Sequence, residues 1–455
     1  MNCFRRYALL VPSALTAACL GVAAPSQRAS APAGTPDPII FVHGNGDDAS
    51  RWIPTIWLFE SNGFPADRLS AIRFHNPVAR IDDTLVEEGR SSTTEAMQEL
   101  SRFVQTTLQR THARKVVLIG SSRGGLTIRN YVQNGGGAEF VSAEVLCGTP
   151  NHGVNVSDKS TGGEFNGGGT FLTALNRLNG KGLEVTPGVR TLTLRSDNLD
   201  KYAQPTGIGL GAPAMKTGVT FEGPSLIGAE NTVLPGTDHR ETAFSNAAFA
   251  AMYRFVTGAA PKTLDIKPEA KPTLSGLVTS VNGAAATNDG MGGVRLRIAE
   301  VRPGVADHTV YDKTTDASGA WGPVKASSTV ELLFDLEANG RHVVYFMPPL
   351  TRSTALLNFR FVPSGPTAAK SANATAQSGN FLVSRPDGYF SRERDAVLVN
   401  GTQAASEPAG LPLRDAFAVE TSDLKPVEVR LRGETILVEP SPDPSAVLTI
   451  ANFLR

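Results

Sequence analysis

Cysteine is scarce in this 455-residue chain: Cys3, Cys19 and Cys147 are all there is. The first two fall in a removable-looking N-terminal stretch, which leaves one thiol and no disulfide framework. Cys147 lies at the end of the apolar run Ala143 to Leu146 with no histidine-paired thiol motif around it, so it reads as a small buried hydrophobe rather than a nucleophile. Net charge is missing too, with 43 Lys and Arg against 43 Asp and Glu and no basic cluster. That balance argues against nucleic acid as a partner and against an electrostatic membrane anchor. No clustered set of metal ligands is visible, and no cofactor is implied. The apolar run Tyr7 to Ala24 is short for a membrane span. Preceded by Arg5-Arg6 and followed by Pro, Ala, Ser and Gly up to Asp37, it reads as a signal peptide (1–24) and a linker (25–37), which implies a secreted or periplasmic protein. Arg5-Arg6 is loosely similar to a twin-arginine signal and Cys19, after Leu15 to Ala18, to a lipoprotein site; both matches are imperfect.

What the chain does have is a stretch around which the rest is organised. Val116, Val117, Leu118 and Ile119 form an unbroken apolar run that leads straight into Gly120-Ser121-Ser122-Arg123-Gly124. This Gly-x-Ser-x-Gly pattern is that of a nucleophile elbow, in which a buried strand turns sharply into a helix and only glycine fits two residues before and after the serine. Leu126, Ile128, Tyr131 and Val132 then read as that helix, stopped by Gly135-Gly136-Gly137, with its N-terminus aimed at Ser122, where it favours developing negative charge.

Upstream, Pro38 to Val42 reads as a buried strand breaking into His43-Gly44-Asn45-Gly46. Beside an elbow, such a loop supplies half of an oxyanion hole, with the backbone N–H of Asn45 as one donor and that of Arg123 as the other. Trp52 to Asn62 reads as a helix, and Leu69, Ile72 and Phe74 as a strand. Ser92 and Glu95 form a capping box before Met97, Leu100, Val104 and Leu108 at helical spacing. Strands follow at Ala143 to Cys147, Val189 to Leu194 and Asn231 to Leu234, with a closing helix through Phe249, Met252, Tyr253 and Val256. Such alternation predicts a parallel sheet covered on both faces. Between Val154 and Pro187 the pattern dissolves into a long loop, which is either a substrate-contacting flap or a plain excursion.

After a Pro/Lys/Ala-rich linker (259–272) the periodicity changes to two, as at Val294, Leu296 and Ile298, with turn signals at Asn282-Gly283, Asp289-Gly290 and Asn339-Gly340. The C-terminal region is therefore expected to be all-β, as one composite sandwich or as two modules (273–364 and 377–455). The catalytic unit is expected over 38–258.

An elbow serine needs a base and an orienting acid, which follow it in the order serine, acid, histidine. Of seven histidines, His43, His75 and His112 precede Ser122, His152 precedes the candidate acids, and His308 and His342 lie in the β region. His239 remains, in Pro235-Gly236-Thr237-Asp238-His239. The acid lies on the loop after Leu194; Asp200 is preferred because Tyr202-Ala203 and Pro205 follow it, with Asp197 the alternative.

The His43-Gly44 loop, the elbow, the Gly148-Thr149-Pro150-Asn151-His152-Gly153 segment, the acid loop and the Gly236 to His239 loop together resemble the small bacterial triacylglycerol lipases of α/β-hydrolase fold. The overall plan is similar to larger secreted carboxylester lipases with a C-terminal β domain. The resemblance covers about residues 37–258 and is only architectural beyond. It implies an ester or lipid substrate hydrolysed by Ser122, Asp200 and His239 through an acyl-enzyme, with the β region touching a lipid or polymer surface. Two departures stand out: Ser121 replaces a common histidine, and Arg123 replaces a common Met or Gln and is expected to make the rim more polar. Because every catalytic candidate precedes Gly258, a chain ending near Pro261 is expected to keep its activity on a soluble ester. An extracellular polyester depolymerase remains an alternative, as does a β-domain binding protein carrying an inactive hydrolase.

Overall fold

The computed structural model describes residues 34–454 except 284, 303–304 and 363–377. The expected leader (1–24, with Arg5, Arg6 and Cys19), most of linker 25–37 and the whole stretch between the two expected β modules lie outside these residues.

A six-stranded parallel sheet forms the first half. Its strands are β1 (Ile39–Val42), β2 (Leu69–Ala71), β3 (Val116–Ser121), β4 (Val141–Cys147), β5 (Arg190–Ser196) and β6 (Glu230–Leu234), in the order β6-β5-β4-β3-β1-β2. Side chains alternate across the pleat. Ile39, Phe41, Val117, Ile119, Val145 and Leu192 face α1 (Ile53–Ser61) and α4 (Asn246–Thr257). Ile40, Val42, Val116, Leu118 and Leu146 face α2 (Thr93–Thr111) and α3 (Arg123–Asn134). The capping box at Ser92 and Glu95 forms as expected, Ser92 N–H donating to Glu95 Oε2 at 2.7 Å and Glu95 N–H to Ser92 Oγ at 3.1 Å. Leu100, Val104 and Leu108, four residues apart, then bury one face of α2, each worth roughly 1.5–3 kcal/mol. This is the expected α/β-hydrolase sheet.

Register brings the strand ends together. Val42 lies opposite Gly120, Ser121 opposite Cys147, Cys147 opposite Leu194, and Ser196 opposite Leu234. The loops holding Asn45, Ser122, Asp200 and His239 thus all leave one edge, the carboxyl end of a parallel sheet, where such folds place their ligands.

Among the described residues the second half is β apart from one helical turn, Arg392–Asp395, but its parts do not separate into two modules. A seven-stranded sheet runs through both: Arg341–Met347 pairs in parallel with Val447–Asn452, which pairs in turn with Gly379–Ser384. One face, with Leu332, Phe334 and Leu336, packs on the sheet containing Thr273–Asn282. The other, with Leu333, Phe346 and Val383, packs on the sheet containing Val427–Leu431 and Glu434–Val438. The halves are also joined. Ile53 and Trp57 of α1 belong to the β core, and Trp57 Nε1 donates to Ser353 O at 2.9 Å. The expected linker is strapped down, because Asn62 Oδ1 accepts from the N–H groups of Lys262 and Thr263.

Candidate active site

The elbow forms where β3 meets α3. Ser122 sits at φ 53°, ψ −120°, a conformation that costs a non-glycine residue roughly 1–3 kcal/mol and is held by its surroundings. Its N–H donates to Cys147 O at 2.8 Å. A Cβ on Gly124 would stand 2.4 Å from Val42 O, and one on Gly120 2.8 Å from the Gly124 carbonyl carbon. Both motif glycines are therefore required by backbone approach. Burial pushes the Cys147 thiol well up, consistent with an inert hydrophobe.

Of the two candidate acids, the fold brings Asp200 to His239. Asp200 Oδ2 accepts from His239 Nδ1 at 2.8 Å while its Oδ1 accepts from Tyr202 N–H at 2.8 Å. Asp197 instead caps the turn at Gly236, whose N–H it accepts at 2.8 Å. With its Nδ1 proton directed at a carboxylate, His239 presents Nε2 as an acceptor. That nitrogen is buried and has no hydrogen-bond partner. His239 O accepts from Thr242 Oγ1 at 2.7 Å, and the Tyr202 ring meets the imidazole edge-on at 4.7 Å. Ser122 and His239 line the same cavity of about 250 Å³, walled by Asn45, Pro150, Val154, Phe165, Tyr202 and Tyr389.

Asn45 sits on this cavity with its Oδ1 accepting from Ala79 N–H at 2.7 Å. Its loop lies close against the elbow, the Cβ position of Gly44 being 3.3 Å from Ser122 Cβ. Arg123 is the first residue of α3, so its backbone N–H has no partner within the helix. His43 is fixed in a neutral form, Nδ1 donating to Gly44 O at 3.0 Å and Nε2 accepting from Phe74 N–H at 3.2 Å, and burial lowers its pKa.

Residues 36–163 match the family model of class 2 lipases. The stretch that holds the elbow is thus similar to class 2 lipases, within a parallel sheet of α/β-hydrolase type. The match ends before the β half. No curated protein sequence matches the chain. Among solved structures, this hydrolase is similar to the mature form of Bacillus licheniformis lipase BlEst2 at 17% identity, over 50% of this chain and 94% of that one, with a TM-score of 0.36. Against the propeptide form of that lipase the identity is 13%, over 90% of this chain and 97% of that one, with a TM-score of 0.37. Aspergillus fumigatus lipase B gives 14%, 51%, 55% and 0.34 for the same quantities.

Three features of the hydrolase differ from what its sequence suggests. The Arg123 side chain does not reach the rim but turns inward, 3% exposed, with Nε at 2.9 and 3.0 Å from the Glu164 oxygens. It also donates to Pro77 O, Ser91 Oγ and Ser91 O. Glu164 thereby ties the long loop after Val154 to the elbow helix, and Val154 and Phe165 of that loop form part of the cavity wall. Asp47, not singled out by any motif, also lines the cavity; burial pushes its pKa up, but Arg240 and Arg51 outweigh this and hold it below the ordinary value. Finally, the β half reaches the site through Tyr389, whose ring lies 3.8 Å from Lys201 Nζ and 4.8 Å from Arg240 Cζ. No local signal marks Tyr389 or Glu164, because each acquires its role only through a distant partner.

Proposed function

We propose that this carboxylic ester hydrolase works through Ser122, His239 and Asp200 and acts on a water-insoluble ester. One observation carries the triad: an imidazole whose Nδ1 is bonded to Asp200 offers a buried, unpartnered Nε2 to the cavity that Ser122 lines. His239 Nε2 takes the proton as Ser122 Oγ attacks the ester carbonyl, and Asp200 holds the ring and balances the imidazolium. The backbone N–H groups of Asn45 and Arg123 bind the oxyanion. His239 then gives its proton to the leaving alcohol, and the acyl-enzyme is released by water activated in the same way.

The insoluble substrate is supported by where apolar side chains are exposed. Ile81, Leu85 and Val86 are exposed on a loop that bonds to the 154–169 loop through Asp83 N–H and Gly162 O. Exposed Val156 and Phe221 line a second cavity of about 360 Å³, which shares Pro150, Tyr202 and His239 with the first. Among the described residues of the β half, only Leu424 is an exposed large hydrophobe. We therefore assign contact with lipid to this rim, in place of the β region, and take the leader-like residues 1–24 as support for work outside the cytoplasm. The test is fluorophosphonate labelling of wild type and Ser122→Ala, with a chain-length series of p-nitrophenyl esters. Labelling and hydrolysis are expected to vanish in the variant, a loss on the order of 10⁴-fold or more. Activity within tenfold of wild type would remove Ser122 from the role, and a preference for the shortest acyl chain would overturn the insoluble substrate.

A further inference from the structure

Two carboxylates flank the candidate base, and both are buried: Asp238 immediately before His239 and Glu241 two residues after it. Half of their oxygen capacity is used inside the loop. Asp238 Oδ1 accepts from the N–H groups of Arg240 and Glu241 at 2.8 and 3.0 Å, and Glu241 Oε2 accepts from Asp238 N–H at 2.9 Å. This reciprocal arrangement fixes the turn on which His239 sits. The remaining capacity cannot be left empty, because a buried unpaired carboxylate is strongly unfavourable. The loop's own cation is committed elsewhere, Arg240 Nη1 lying 2.6 Å from Asp415.

The cations come from the C-terminal half. Arg394 Nη2 lies 2.9 Å from Asp238 Oδ2 and its Nη1 2.7 Å from Glu241 Oε2. Arg385 and Arg432 pair with Glu241 Oε1, and all three arginines also reach Asp395, another buried carboxylate. Three carboxylates thus meet three guanidinium groups. Although burial pushes Glu241 up, Arg385, Arg432 and Arg394 hold it well below the usual carboxylate range. Tyr389 N–H completes the set, donating to Asp238 Oδ2 at 2.7 Å while its ring walls the Ser122 cavity.

We propose that Arg385, Arg394 and Arg432 are positioning residues for catalysis: by pairing with Asp238 and Glu241 they set the turn that aims His239, so the β half is part of the catalytic unit. The inference rests on the triad reading above. A displacement of about 1 Å in a reacting group can cost on the order of 10²-fold in rate, so loss of the clamp should be read in kcat. Pro150, Val154 and Phe165, which wall the cavity, are untouched by it.

The test is Arg394→Met and Arg394→Lys in the full chain, measured on a soluble p-nitrophenyl ester. In Arg394→Met, kcat is expected to fall at least tenfold with KM within about threefold of wild type, and Arg394→Lys, which restores one cation, is expected to recover part of the loss. If Arg394→Met does not fold, Arg432→Met is read in the same way, its side chain being half-exposed and paired with Glu241 at 2.7 Å. A folded variant with kcat within twofold of wild type, or a loss carried by KM, would overturn the proposal. Failure of the triad reading is seen separately, in Ser122→Ala.

Discussion

Replacing Arg123 by methionine leaves Glu164 in place, 2% exposed and without its cation. Burial already pushes the Glu164 pKa up from an ordinary value of 4.5, against the pull of Arg123. Without Arg123 nothing of comparable strength opposes burial, and the folded variant takes up a proton that the unfolded chain at neutral pH does not hold. Keeping a carboxyl of ordinary value 4.5 protonated costs about 3 kcal/mol at pH 7 and under about 1 kcal/mol at pH 5. The sign follows from the raised folded value: stability is fully present below the unfolded pKa and is lost as pH rises above it. A pH-independent part adds to this, because Pro77 O and Ser91 O lose donors at 3.1 and 2.8 Å; each keeps a backbone donor, Gly46 N–H and Arg80 N–H, so the loss is roughly 0.5–1.5 kcal/mol for each bond. Urea unfolding of the full chain at pH 5 and pH 7, relative to wild type, measures both parts. Arg123→Met combined with Glu164→Gln should abolish the pH-dependent part. The reasoning is refuted if the single variant costs less than about 1 kcal/mol at pH 7, if its cost is equal at the two pH values, or if the double variant keeps the difference.

Asp200→Asn should lower kcat on the order of 10³ to 10⁴-fold, and Asp197→Asn far less, since Asp197 caps Gly236 and does not touch His239; steady-state kinetics showing the reverse ranking would move the acid's role to Asp197. A chain ending at Pro261 exposes Ile53 and Trp57, which are buried in the β core and worth roughly 1.5–3 kcal/mol each, and strips the cations from Asp238 and Glu241. It is expected to aggregate or to lose kcat even on a soluble ester, contrary to the expectation from sequence, and a folded monomer with wild-type kcat would show that the β half is dispensable for the chemistry.

The elbow, the capping box of α2 and the strand and helix alternation were all legible along the chain, and chain order singled out His239 as the candidate base. Each depends on sterics, hydrogen bonding or periodicity within a few residues, or on chain order, and these need no knowledge of distant partners. Gly120 and Gly124 show this well, since the turn that excludes a Cβ at both is built by the motif itself together with the neighbouring strand. For the candidate acid the sequence preferred Asp200 with Asp197 the alternative, and it could go no further because both lie on one loop and their distance to His239 depends on how the loops after β5 and β6 pack. Arg123 could not be placed from sequence at all. A guanidinium at that position is compatible with the rim or the interior, and the choice was made by Glu164, 41 residues away, together with Ser91 and Pro77. The same holds for the β half, where period-two patterning gave the strands but the parallel pairing of 341–347 with 447–452 joined what the composition divides. Its arginines meet Asp238 and Glu241 across gaps of 144 to 191 residues, from Arg385 to Arg432 against Glu241. Pairings at such separations arise only when the closed fold removes water from both partners, and it is that desolvation which makes each carboxylate require its particular cation.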